Sequence, residues 1–167
     1  MADALPPPAI ASPLFLRDAE LRRGIELLYF GYANLVRGAD GRLAGEGLGR
    51  AHHRALYFIA QRPGLPVSDL IALLNITKQS LSRVLADLQA RGLVETRPGD
   101  RDRRQRLLRL TPAGATLETQ LFEELRGAMA GAYAAAGQGA VTGFWAVLGG
   151  LIPPPNRPST PASQASP

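Results

Sequence analysis

Apolar residues recur along this chain with changes of period that mark off successive elements. Leu21, Ile25, Leu28, Tyr32 and Leu35 alternate spacings of four and three, which keeps one seam on one face of a helix. A helix is therefore predicted over residues 18–36. Such a seam can pack inside its own domain or against a copy of itself. GRLAGEGLGR follows and reads as a glycine-rich loop. RAHHRALYFIAQ then predicts a short helix with His52, Ala55, Leu56 and Ile59 on one face. PGLP breaks it, and Leu65 to Val67 read as a very short strand. Ser68 is placed to cap a helix over DLIALL, since its hydroxyl can accept an orphan N–H of the first turn. Asn75 and Ile76 make a turn. Thr77 caps the next helix, KQSLSRVLADLQAR, which Gly92 ends.

Beyond Gly92 the texture changes. LVETR and RLLRLT read as short strands, and RPGDRDRRQ between them as a charged turn, so the segment predicts a hairpin. Thr111-Pro112 opens another helix, with threonine as cap and proline at the first helical position. It carries Leu117, Leu121, Leu125 and Met129. Gly137 and Gly139 interrupt it. A last helix sets Val141, Phe144, Trp145, Leu148, Leu151 and Ile152 at helical spacing. Two short helices joined by a tight turn and followed by a hairpin form a winged helix-turn-helix layout. The outer helices carry apolar stripes that the small middle domain cannot fully cover, and mutual burial in a dimer is the natural solution.

Composition narrows the function classes. The 167 residues are 46% hydrophobic, enough for a core. There is no cysteine, which excludes disulfides, thiolate metal sites, cysteine nucleophiles and thiol redox switching. No basic segment followed by an apolar one opens the chain, so no secretory signal is expected. The most apolar late stretch, residues 140–152, is too short to span a bilayer. A cytoplasmic protein with no membrane association is expected. The enzyme motifs are missing: there is no phosphate-cradling loop, no nucleophile elbow and no paired carboxylates near a histidine. His52 and His53 are adjacent on a helix and diverge by about 100°, too far to chelate one ion well. No metal and no cofactor are expected.

Charge is uneven. Residues 50–110 hold 12 Lys and Arg against 5 Asp and Glu, a net of +7, while the rest of the chain is net −2. A basic middle in a mildly acidic remainder points to a polyanion partner. The helix over residues 77–91 divides by face. Leu81, Val84, Leu85 and Leu88 cluster on one side. Gln79, Ser82, Arg83 and Ala86 point the other way, flanked by Lys78 and Ser80. The N-terminal end of a reading helix is the part that contacts bases. Gln suits adenine, Arg suits guanine, and Ser and Thr serve bases or phosphates. The wing follows directly. In GDRDRRQRL Gly99 permits a turn, and Asp102 is placed to hold a neighbouring arginine, Arg104, in an extended pose. Arg101 and Arg103 would then reach a narrow minor groove or its flanking phosphates.

Segments of the chain resemble the MarR family of bacterial transcription regulators. TKQSLSRVL on the reading helix, RGLV entering the hairpin and DRRQRLLRLTPAG through the wing carry the resemblance, which covers residues 16–152. More narrowly, GRAHHRALYFIA and ITKQSLSRVL resemble a PetP-like alphaproteobacterial branch. The resemblance implies a homodimer joined by its terminal helices, with each subunit's reading helix in a major groove and a wing arginine in the adjacent minor groove. It implies an inverted-repeat promoter site, repression or activation, and in many members release of DNA on binding a small molecule, often phenolic. The peroxide-sensing members use cysteine, and that mode is excluded here. In the family the helix bearing His53 and Tyr57 borders the effector cavity, which Tyr29 and Tyr32 of the first helix would also line.

The fold class expected is thus mostly α with a small β-hairpin: a winged helix-turn-helix DNA-binding domain flanked by N- and C-terminal dimerisation helices. Residues 1–13 are expected as a flexible tail and 14–47 as the N-terminal dimerisation helix and loop. Residues 48–111 form the DNA-binding domain, 112–152 the C-terminal dimerisation helices, and 153–167, rich in Pro, Ser and Ala, a disordered tail. The partners expected are double-stranded DNA, a second copy of the chain and a small-molecule effector. DNA contacts fall to Thr77, Lys78, Gln79, Ser80, Ser82 and Arg83 of helix 77–91 and to Arg101, Asp102, Arg103 and Arg104 of the arginine-rich wing 97–106. The alternative is a winged helix that binds protein instead of DNA. Such a module has no need of six arginines between Arg97 and Arg109.

Overall fold

The structure, a computed structural model, describes residues 13–99 and 102–153. The two expected tails, apart from Pro13 and Pro153, lie outside the described residues. Seven α-helices and three strands follow one another among the described residues: α1 (Asp18–Leu35), α2 (Arg37–Ala44), α3 (Arg50–Gln61), β1 (Leu65–Pro66), α4 (Val67–Leu74), α5 (Lys78–Ala90), β2 (Val94–Pro98), β3 (Arg106–Leu110), α6 (Pro112–Ala136) and α7 (Gln138–Leu151). A 3-10 turn, Pro13–Leu16, precedes α1. The fold is mostly helical with a small antiparallel sheet, as expected. No described helix is long and apolar enough to cross a membrane. The chain divides into two compact units, one ending at Arg37 and one beginning at Gly38.

In the first unit α1 covers the predicted helix, and none of its residues is buried. Leu21, Ile25, Leu28 and Tyr32 of the four–three seam all stand exposed, beside Tyr29 and Phe30. An apolar stripe of this length left in water is unusual for an isolated chain.

The second unit holds the core. Leu43, Leu56, Ile59, Leu70, Leu74, Leu81, Leu88, Leu108 and Leu121 are fully buried and join α2, α3, α4, α5, β3 and α6 in one cluster. The strands are ordered β1-β3-β2, all antiparallel. Leu65 pairs with Leu108, and β2 runs against β3 from Val94 opposite Leu110 to Pro98 opposite Arg106.

Two local expectations are corrected. The glycine-rich stretch is not loop throughout: its first part lies in α2, where Ala39 and Leu43, four residues apart, are both fully buried. Burying those side chains outweighs the helix cost of about 1 kcal/mol per glycine. Ser68 does not cap α4. Pairing of Leu65 and Pro66 with β3 delivers the chain so that the helix starts at Val67, with Pro66 at the cap position. Ser68 falls in the first turn, and its hydroxyl donates to Asp69 Oδ1 at 3.0 Å.

The end of α5 and the start of α6 are tied together. Gly92, at φ +64°, turns the chain out of α5, and Leu93 N–H returns to Leu88 C=O at 2.9 Å. The Thr111 hydroxyl donates to Gly92 C=O at 2.6 Å and accepts Gly114 N–H at 3.1 Å, so one side chain both caps α6 and binds the turn. Thr111 N–H meets Leu93 C=O at 3.1 Å. Gly114 then sits directly on Leu93, where an added Cβ would overlap the Leu93 carbonyl oxygen. Beyond Leu125 the helices emerge from the core. Phe122, Phe144, Trp145, Val147 and Leu151 are exposed, and α7 buries no residue. Trp145 Nε1–H donates to the Tyr133 hydroxyl at 2.7 Å and joins α7 to α6.

Gly114→Ala is expected to destabilise the second unit by roughly 1–3 kcal/mol, the usual cost of overpacking. Chemical denaturation measures this, and an unchanged midpoint would show that the α6–Leu93 approach is not tight.

Candidate nucleic-acid interface

Helix α5 is positioned by its dry face. Leu81, Val84, Leu85 and Leu88 are 0–8% exposed and belong to the core. Thr77 caps the helix as expected: its oxygen accepts Ser80 N–H at 3.1 Å, and its hydroxyl donates to Ser80 Oγ at 2.9 Å. The capping pair therefore occupies part of the hydrogen-bonding capacity of two candidate contacts. Thr77, Lys78, Gln79, Ser80, Ser82 and Arg83 are all exposed. Gln79, Ser82 and Arg83 lie opposite the buried Leu81, Val84, Leu85 and Leu88, while Thr77, Lys78 and Ser80 are exposed because they stand at the free N-terminal end of the helix.

The turn before α5 is built from Asn75, whose left-handed backbone (φ 52°) reverses the chain after α4. Arg54 of α3 reaches Leu74 C=O at 3.1 Å and satisfies a carbonyl that the helix end leaves open. Two further hydrogen bonds brace α5, and nothing in the sequence pattern marked them. His52 Nε2 lies 3.1 Å from Asp87 Oδ2, while His52 Nδ1 accepts Gly49 N–H at 3.1 Å. A backbone N–H can only donate, so Nδ1 is bare and the proton on Nε2 goes to Asp87. Gln89 Nε2 donates to Thr96 Oγ1 at 2.6 Å and links the far end of α5 to β2.

In the wing, Gly99 is required for close approach. Its N–H donates to Gln105 C=O at 3.0 Å, and a Cβ there would stand 2.8 Å from the Asp102 carbonyl oxygen. Asp102 shapes the turn differently from the expectation. Its Oδ1 accepts the backbone N–H of Arg104 at 2.9 Å, and its C=O accepts Gln105 N–H at 3.0 Å. Among the described residues the carboxylate orders the main chain, not the Arg104 guanidinium. A short aspartate side chain reaches the amide two residues on more readily than a long arginine head. Asp102, Arg103 and Arg104 are exposed. Arg101 lies outside the described residues. Thr96, Arg97, Pro98, Arg103 and Arg106 line a cavity of about 230 Å³ at the base of the wing. Arg97 and Arg106 were not singled out from the sequence; the register sets Arg97 opposite Leu107 and Arg106 opposite Pro98, on the two faces of the hairpin.

The candidate effector residues are placed as follows. His53 is buried at 7% exposure, together with Ala55, Leu56 and Ile59, so it and not His52 occupies the apolar face of α3. His52 is half-buried and hydrogen-bonded. Asp40 is close enough for its charge to act on His53; its Oδ2 accepts from Arg50 Nε at 2.8 Å, and its buried Oδ1 has no described partner. Tyr57 is exposed and stacks edge-on with Phe58. Tyr29 and Tyr32 are exposed on α1, in the N-terminal unit.

Burial holds the His53 pKa below its ordinary 6.5, against a smaller upward pull from Asp40. The unfolded chain therefore binds the proton first as pH falls. Stability contributed by neutral His53 is complete above about 6.5 and is lost between there and the lowered folded value. Denaturation midpoints measured from pH 7.5 down to 5.5 should fall more steeply for the natural chain than for His53→Gln. Parallel profiles would assign the acid sensitivity to other groups.

Comparison with known proteins supports the same assembly of parts. A family model described as the MarR family matches residues 46–105. The HTH-type transcriptional regulator PetP of Rhodobacter capsulatus is 50% identical over 144 residues, covering 86% of this chain and 87% of that protein. Among solved structures, a MarR-family transcriptional regulator from Silicibacter pomeroyi superimposes with a TM-score of 0.65 at 25% identity, over 85% of this chain and 94% of that one. A mutant MarR from E. coli complexed with operator DNA gives 0.63 at 22% identity, over 85% of this chain and all of that one.

Proposed function

This chain belongs to the MarR family of DNA-binding transcriptional regulators, and from that premise we propose that it acts as a homodimer on an inverted-repeat promoter site. Members of the family are not enzymes, and neither is this chain. The observation that carries the reading is the two-sided character of α5, whose aliphatic face is locked in the core while Gln79, Ser82 and Arg83 stand exposed on the other side, flanked by the exposed Lys78 and Ser80. Gln79 and Arg83 are the base readers in this proposal. Lys78, Ser80, Ser82 and Thr77 serve the phosphates and the groove floor, and the arginines of wing 97–106 approach the adjacent minor groove. The relative solved with operator DNA supports this use of the fold.

The exposed apolar residues of α1, α6 and α7 are the proposed dimer interface. Stripes that bury nothing within one chain acquire a partner in the second copy. Residues 14–47 and 112–152 are thus dimerisation segments around a DNA-binding domain at 48–111. A small-molecule effector is part of the same proposal. Within the second unit, His53 and the unpartnered Asp40 Oδ1 are polar groups able to meet its hydrogen-bonding atoms, with Tyr57 as a further candidate.

Gln79→Ala and Arg83→Ala should each weaken binding at the selected site by about 1–3 kcal/mol and relax sequence preference there. Titration against specific and random duplexes tests this. Equal losses on both would remove base reading from these two residues.

A further inference from the structure

The corner between the reading helix and α6 is bonded more closely than capping requires. The Thr111 hydroxyl donates to Gly92 C=O at 2.6 Å and accepts Gly114 N–H at 3.1 Å. The backbone N–H of the same residue donates to Leu93 C=O at 3.1 Å. Leu93 N–H in turn closes the end of α5 on Leu88 C=O at 2.9 Å. Gly114 packs on the Leu93 carbonyl with no room for a Cβ. The end of α5 and the first turn of α6 thus form one rigid corner, although the whole hairpin lies between them in sequence. An N-cap side chain needs only the bond to the first turn. The bond to Gly92 and the contact at Gly114 do something else: they fix where α6 points relative to α5.

That direction matters because α6 is long. Gly114, Leu117 and Leu121 are buried, and the same helix runs unbroken to Ala136, past the exposed Phe122 and the half-buried Met129 and Tyr133. At about 1.5 Å per residue, Met129 and Tyr133 stand roughly 22–28 Å along the axis from Gly114. A tilt of about 10° at the corner, well within the scatter of helix packing angles, displaces them by roughly 4–5 Å. One base-pair step is about 3.4 Å. In a dimer joined through the far part of α6, the same tilt carries each reading helix by about the length of one such step. We propose that Thr111 is a positioning residue, whose hydroxyl locks the angle between α6 and the reading helix and so sets the half-site spacing that the dimer accepts. This rests on the dimeric DNA-binding reading above and deepens it. Thr111 itself touches no DNA; it acts through α5.

The test measures affinity for the selected inverted repeat and for copies with one base pair added to or removed from its spacer. The natural chain should prefer its own spacing. Thr111→Val keeps the shape of the side chain and removes both hydroxyl bonds. It should lower that preference by about fivefold or more, the lower end of couplings between sites, and leave base preference within each half-site unchanged. Thr111→Ser keeps the hydroxyl and should retain the natural preference. Ile59→Val loosens the core away from the corner and should leave the spacing preference intact. Gly114→Ala, which forces α6 off Leu93, carries the same test should Thr111→Val not fold. A second measurement needs no DNA. The chain has no cysteine, so Ala86→Cys, exposed on α5, takes one spin label per subunit. The distance between the two labels should be narrowly distributed with Thr111 present and broadened or shifted in Thr111→Val. Full spacing preference in a folded Thr111→Val, an equal loss in Ile59→Val, or an unchanged label distance refutes the lock and leaves the DNA reading standing. A natural chain indifferent to spacing, or without affinity for duplex, would overturn the dimeric DNA reading and this proposal with it.

Discussion

The burial of one face of α5 is the constraint on which the rest of the structure depends. Leu81, Val84, Leu85 and Leu88 are taken from water into the cluster that also holds Leu56, Ile59, Leu70, Leu74 and Leu108. Full burial of such side chains stabilises by about 1.5–3 kcal/mol each, and four of them together outweigh the few polar contacts this helix makes. The rotation of the helix about its axis is thereby fixed. Once the leucines are inside, Gln79, Ser82 and Arg83 have no direction but outward. The polar contacts refine that placement: Thr77 defines where the helix begins, His52–Asp87 and Gln89–Thr96 brace its later turns, and the Thr111–Gly92 bond secures the point where it ends.

The wing shows a different economy of charge. Six arginines between Arg97 and Arg109 would repel one another on a free strand. Pairing with β3 holds the hairpin, and the two described acidic groups of the segment act locally. Glu95 pairs with Arg97, and Asp102 accepts an amide of the turn. An aspartate used on the backbone subtracts little cationic character from the neighbouring guanidinium groups while ordering the loop that presents them. This explains why acidic residues persist inside a segment whose net charge is positive.

Much of this was legible in the sequence because burial follows periodicity. The alternation of buried and exposed positions along α5, the capping threonines at 77 and 111 and the stop at Gly92 each have a local cause. The misreadings arose where a distant contact prevailed. GRLAGEGLGR looks like loop by propensity, yet Leu43 has a place in the core and draws the segment into helix. Ser68 has the chemistry of a cap, but the strand pairing of Leu65 and Pro66 sets the helix start before it. Adjacent histidines on one helix cannot be told apart by period alone when both border the apolar face, and His53, not His52, is the buried one. The cavity beneath the wing joins residues from two strands and a turn, so no linear motif announces it.

The exposed stripes of α1 and the emergent parts of α6 and α7 give the proposed dimer its physical motive, and a dimer gives the proposed DNA site its symmetry. Selection of bound sequences from a random duplex library tests that claim most directly. An inverted repeat is expected, with half-sites about 10–10.5 bp apart from centre to centre, as two symmetry-related reading helices on one face of the duplex require. Recovery of a single unpaired half-site, or no enrichment at all, would contradict it.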